Sequence, residues 1–223
     1  MRTWKHGWLL CLSLLPGCAA ESGGPAVVGE GRFLLEAWAD NWFALYAGDR
    51  LVAEDSVPIT TERSFNAERV AFDAEYPLVL NFILKDFKEN DTGLEYIGTS
   101  KQQMGDAGFI MQLTDTTTGA VVAVSNSAWR CFVEHKAPLN KDCEKDADPA
   151  STCMYEIAVE PPGWMDADHD LGTWESVRVY SAADVGAKDG YDEIDWSAEA
   201  KLVWTSDLES DNTILCKVIV PAP

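Results

Sequence analysis

Carboxylates, amides and a tyrosine crowd the stretch Asp86-Phe87-Lys88-Glu89-Asn90-Asp91-Thr92-Gly93-Leu94-Glu95-Tyr96-Ile97-Gly98 and its continuation Gln102-Gln103-Met104-Gly105-Asp106. Planar carboxylates and amides take paired hydroxyls, and an aromatic face covers the C–H side of a sugar ring. Asp86, Asn90, Glu95, Tyr96, Gln103 and Asp106 are therefore the expected binding residues for a carbohydrate or another polar extracellular ligand. Two of the same carboxylates can act as acid and base, so a small hydrolase is an alternative. The plainer reading is a surface loop packed on itself through Asx turns.

Oxygen donors also cluster at Asp40-Asn41, Asp166-Ala167-Asp168-His169-Asp170, Asp189 to Glu193 and Asp211-Asn212. Carboxylate, amide and carbonyl oxygens suit calcium. Asp40, Asn41 and Asp211 are the expected metal residues, with calcium the expected cofactor. None of the clusters fits an EF-hand: the loop starting at Asp166 has Val177 where a bidentate Glu belongs. His135 and His169, with a ring such as Trp129, are the material for a copper site. The plainer expectation is a hydrogen-bonded His135 and an exposed His169. A metal-handling or structural surface protein is thus a further alternative.

Nucleophile and phosphate motifs are missing: there is no Gly-x-Ser-x-Gly elbow, no His-Glu-x-x-His and no Gly-rich phosphate loop. The chain carries 37 acidic against 17 basic residues, a formal charge of −20. Such a surface repels nucleic-acid phosphates and anionic headgroups, so nucleic acid is not an expected partner.

The first residues have the pattern of an export signal. Arg2 and Lys5 precede the apolar run Trp8 to Leu15, followed by Pro16-Gly17-Cys18. The run is far short of the ~20 apolar residues that span a bilayer. It resembles the lipobox of bacterial lipoproteins, which makes Cys18 the expected lipidation site. Residues 1–17 are then the signal peptide, 18–31 a flexible Gly/Ser-containing tether and 32–223 the folded domain. Removing Arg2 and Lys5 takes the charge from −20 to −22. The expected location is outside the cytoplasm, on the outer membrane or cell surface through the lipid anchor. Without lipidation the protein is secreted.

In an exported chain the remaining cysteines, Cys131, Cys143, Cys153 and Cys216, read as two disulfides. Three pairings are open. Cys143–Cys153 within a polar loop and Cys131–Cys216 between two strands are favoured. A zinc site is disfavoured by wide spacing and the absence of Cys-x-x-Cys.

These residues must be positioned by short strands, because no stretch of helical period is long. Phe33–Ala37, Trp42–Tyr46 and Leu51–Ala53 read as strands, the last two joined at Gly48-Asp49. Arg69–Phe72 is another, and Tyr76 to Phe87 has the continuous apolar character of a central strand. Phe109–Leu113 and Ala120–Val124 form a hairpin across a Thr/Gly turn. Cys131–Val133, Val177–Tyr180, Ala200–Trp204 and Thr213–Val220 complete the set, with an irregular excursion from Lys136 to Gly163. Many short strands between turn clusters predict an all-β sandwich.

Three segments resemble galactose-binding-domain-like jelly rolls, the sandwiches that accompany the catalytic domains of rhamnosidases and β-galactosidases. Ala39 to Val52 is similar to their aromatic-x-Leu-Tyr hairpin. Gly163 to Glu175 is similar to a segment whose Trp tucks under the sandwich. Ala200 to Trp204 with Asp211 to Lys217 resembles their closing strands. The resemblance implies a single jelly-roll β-sandwich and a structural calcium near strand ends. It implies no particular ligand, since one sandwich hosts many functions.

Overall fold

The computed structural model describes residues 25–60 and 65–223; the expected signal peptide, residues 1–17, and the expected lipidation site Cys18 lie outside the described residues. Fifteen strands follow one another along the chain: β1 (Phe33–Asp40), β2 (Trp42–Ala47), β3 (Arg50–Glu54), β4 (Ala67–Phe72), β5 (Leu78–Lys85), β6 (Leu94–Glu95), β7 (Gln103–Met104), β8 (Gly108–Asp115), β9 (Ala120–Val124), β10 (Arg130–Lys136), β11 (Glu156–Ile157), β12 (Glu175–Ser176), β13 (Arg178–Tyr180), β14 (Leu202–Trp204) and β15 (Asp211–Val220). Two antiparallel sheets hold most of them. One has the order β13-β14-β8-β1-β4, with β9 also on β8. The other runs β11-β10-β15-β5-β2-β3, with β12 also on β10. Strands β6 and β7 form a separate ribbon. This is an all-β, sandwich-like architecture.

Period-two alternation puts one face of each sheet into a shared core. Phe33, Leu35, Ala37 and Ala39 of β1 meet Leu80, Phe82 and Leu84 of β5 and Ile214 and Cys216 of β15 there. The outer faces are covered too. Trp164 and Trp174 lie over Ile83, Phe132 and Leu215, the outward residues of the β5, β10 and β15 sheet. Lys217 pins that cover by donating to the carbonyls of Trp164 and Asp166. On the opposite outer face, Trp38 and Ile110 pack under Val185, Ala200 and Leu202. Burial on both faces explains the near-continuous apolar runs of β1, β5 and β8.

The disulfides pair Cys131 with Cys216 and Cys143 with Cys153. The first joins directly opposite residues of β10 and β15. The second ties a short excursion that packs on Leu94 of β6. Among the described residues no helix is long and apolar enough to cross a membrane.

Candidate functional site

Three chain segments deliver carboxylates to one end of the sandwich. Strand β1 ends at Asp40, opposite Gly108 at the start of β8. Strand β5 ends at Lys85, opposite Trp42 at the start of β2. Asp86 therefore follows β5 where Asp40 leaves β1, and Gly105-Asp106 arrives there just before β8. Backbone bonds fix this junction: the Asn41 amide donates to Lys85 O at 3.1 Å and the Asp86 amide to Asn212 O at 2.9 Å. The Phe87 amide donates to Asn41 Oδ1 at 2.6 Å.

Asp86 is 3% exposed, and neither carboxylate oxygen has a hydrogen-bond partner. It rests against the backbone of Gly105: a Cβ built there would lie 2.0 Å from Asp86 Oδ2. Only glycine leaves room for that carboxylate. Burial pushes the Asp86 carboxyl well above the usual aspartate range, with Asp40, Glu95 and Asp106 adding repulsion and the Phe87 amide opposing. Asp40 Oδ2 is likewise buried without a partner. Burial first, then Asp106, raises Asp40 to about 8 against the pull of Lys188. Asp106 is exposed at the surface, yet its carboxyl is also pushed up by desolvation. Glu95 is buried and accepts from Gln103 Nε2 at 3.2 Å.

The rest of the 88–106 stretch packs on itself, as the plainer reading expects. Asn90 Oδ1 accepts from the Thr92 amide and hydroxyl at 2.9 and 2.6 Å, an Asx turn that occupies it. Gln102 Nε2 bonds the carbonyls of Glu144 and Asp146 in the disulfide excursion. Tyr96 is half-buried at φ 52°, with Lys101 Nζ 5.8 Å from its ring centroid. Of the six expected ligand residues, Asp86, Glu95 and Asp106 thus fall within electrostatic reach of one another. Asp40, expected separately as a metal residue, joins them.

The other two expected metal residues are engaged elsewhere. Asp211 accepts from Lys136 Nζ and from Thr205 Oγ1 at 2.7 Å. Asn41 holds the Phe87 amide. Among the described residues no three His, Cys, Asp or Glu side chains already surround one point.

Beside the carboxylates opens a cleft of about 700 Å³, lined among others by Asp86, Lys88, Asp91, His135, Ile157 and Thr213. Strand pairing builds its floor: His135 of β10 stands opposite Ile157 of β11 on one side and Thr213 of β15 on the other. The β10–β15 register slips on both sides of His135, the kind of irregularity that re-aims a side chain. His135 is 4% exposed and neither ring nitrogen has a hydrogen-bond partner. Asp91 lies nearest the ring, with Oδ1 3.7 Å from Nε2 and its backbone also within reach of the imidazole. Burial, with Lys88 second, lowers its pKa to about 4, so the ring is neutral at physiological pH. Tyr155 stacks parallel to it at 6.3 Å.

The copper grouping does not assemble. Trp129 packs in the core on Phe82 and Phe109, and His169 lies on Trp174 over the outer face. Sequence reading missed the cleft because the β10 bulge leaves no local mark. The nearest signal is a His set among β-formers two residues before Ala137-Pro138. No protein-family model matches this chain, and no curated protein or solved structure matches it significantly.

Proposed function

We propose that this chain is an exported, lipid-tethered, non-catalytic module that binds a carbohydrate or another hydroxyl-rich extracellular ligand in the cleft beside Asp86. Export and the anchor at Cys18 are read from the basic, apolar and Gly-Cys order of the first eighteen residues. The galactose-binding-like jelly roll is the finer fold in this reading. Its support is the order of the three resembling segments together with the covered outer face under Trp164 and Trp174.

One observation carries the ligand reading: a neutral, buried imidazole that lines an open cleft, with Asp91 its nearest polar neighbour. A neutral imidazole donates through one nitrogen and accepts through the other. A sugar hydroxyl satisfies either. Lys88, Asp91 and Thr213 supply further donors and acceptors around it, and Ile157 gives an apolar wall. A glycan array probed with the purified protein tests this. Bound glycans are expected, with affinity falling about tenfold or more in His135→Ala. An array without hits, or hits that His135→Ala binds equally well, contradicts the reading.

A small hydrolase is the second reading, favoured by one feature. Asp86 lines the cleft while burial pushes its carboxyl well above the usual aspartate range, the direction a general acid needs. Hydrolysis of a glycoside lost in Asp86→Asn supports it; turnover unchanged in that variant removes it.

A further inference from the structure

We propose that the cleft at His135 is the middle of a groove crossing the outer face of strands β11, β10, β15, β5 and β2, and that it takes a neutral, extended glycan chain along the chain's interior instead of one terminal sugar. The inference rests on the sugar reading above. It adds the form and charge of the ligand and the residues that meet its two ends.

Strand register draws the groove. Ile157 of β11 stands opposite His135 of β10, His135 opposite Thr213 of β15, Thr213 opposite Lys85 of β5, and Lys85 opposite Trp42 of β2. Directly opposed residues share a face, so these side chains form one row about 19 Å long at the usual strand spacing. The face is the outer one, because Leu84 and Ile214, the adjacent residues of β5 and β15, point into the core. On this same face Ile83, Leu215 and Phe132 lie under Trp164 and Trp174. One row further, Ile157, His135, Thr213 and Lys85 line the open cleft. The 86–91 segment leaves the end of β5 there and lines its other side.

The chemistry along the row suits a sugar chain passing through. Ile157, 56% exposed, gives an apolar surface at one end. Tyr155, two residues away on the same face, lays its ring parallel to that of His135. His135, Thr213 and Lys85 bring hydrogen-bonding groups to the middle. The Trp42 ring stands at the other end, with Lys85 Nζ 5.1 Å from its centroid. An aromatic face that holds a cation also takes the C–H side of a sugar ring. Charge then selects among glycans. Lys88 Nζ pairs with Asp91 at 2.9 Å, and Lys85 is close enough to Glu134 to pull on its carboxylate. Both lysines of the cleft are thus matched by acids, on a protein of formal charge −20. Uronate or sulfate groups would meet repulsion there, so the chain is neutral.

The test is calorimetric titration of the purified protein with neutral gluco-, manno- and xylo-oligosaccharides from disaccharide to hexasaccharide, with oligogalacturonates of the same lengths beside them. In at least one neutral series affinity should rise about tenfold or more from disaccharide to tetrasaccharide and then level off. Oligogalacturonates should bind about tenfold more weakly or worse. Trp42→Ala and Tyr155→Ala should each lower hexasaccharide affinity about tenfold while disaccharide affinity changes by less than about twofold. Loss of packing alone would not move the two lengths differently. If Trp42→Ala fails to melt cooperatively, Tyr155→Ala, at the half-exposed end, decides. Equal affinity for disaccharide and hexasaccharide overturns the groove and leaves the sugar reading standing. Hexasaccharide binding unchanged in both variants, or tighter binding of oligogalacturonate, does the same. No binding in any neutral series also overturns the groove, and an empty glycan array besides removes the sugar reading itself.

Discussion

Strands β1 and β8 carry an aspartate at each end of their pairing, and the two ends differ. At one end Asp115, 2% exposed, accepts from Arg32 Nε and Nη2 at 3.0 and 2.6 Å and from the Thr117 amide at 3.0 Å. Its bond with Arg32 holds it down at about 2. At the other end Asp40, also 2% exposed, has an oxygen without a partner and stands at about 8. Asp86 beside it is also raised well above its ordinary value by burial and by neighbouring acids. Residue type and exposure are the same; Asp115 has Arg32 and an amide donating to it, whereas burial first, then Asp106, raises Asp40. One end is a finished structural joint. The other is built around buried carboxylates with no ion pair among the described residues, opposed by Lys188 and the Phe87 amide, which is the pattern of a site.

The largest effect should come from closing the space at the acidic end. Gly105→Ala puts a methyl into the Asp86 carboxylate and should cost about 3 kcal/mol, read by denaturant unfolding. Adding Asp86→Ala should restore part of that loss, because the atoms met by the new Cβ belong to Asp86. No recovery would mean that the backbone, and not the carboxylate, needs the glycine.

Next in size is the pH response, where the two ends have opposite signs. Asp40 has a raised folded value, so its contribution is full below about 3.8 and lost as pH rises toward 8, and Asp86 is shifted in the same direction. Asp115 has a lowered value, so its contribution is full above 3.8 and lost as pH falls toward 2. His135, lowered from 6.5 to about 4, adds a loss of stability on acidification within that interval. Asp55, pushed up to about 7 by burial, loses its own contribution up to that pH, so the interval from pH 7 to 8 is the one that singles out the acidic end. In chelator the melting temperature should fall across it, and Asp40→Asn should flatten the fall. An unchanged slope in that variant would break the contrast.

Smallest is the joint itself. Asp115→Asn keeps an oxygen for Arg32 but removes the charge, and should lower the melting temperature by about 2–4 °C at pH 7. That difference should shrink below pH 3, where the parent aspartate takes up its proton.

Much of this contrast was legible as pieces. Alternation and turn residues located β1 to β5, β8, β9 and β15 closely. The two-residue strands β6, β7, β11 and β12 were not legible, because their pairing is a tertiary fact with no period of its own. Asp86 stood out as the residue after the longest apolar strand, and Asp40 as half of an Asp-Asn pair. That they meet depends on β1 and β5 ending side by side, which no local signal states. Asp211 looked like Asp40 in sequence, yet β10 brings Lys136 opposite it and fills it. Asn90 looked available until its own turn consumed its oxygen.

The most direct measurement is a carbon-detected NMR titration of the aspartate carboxyl groups in calcium-free buffer. Asp40 should remain protonated at pH 7 and Asp86 should titrate well above the usual aspartate range, while Asp115 stays ionised down to about pH 2. Asp40 and Asp86 titrating near 4 without calcium would contradict the account, for it would mean that the acidic end is already neutralised within the chain.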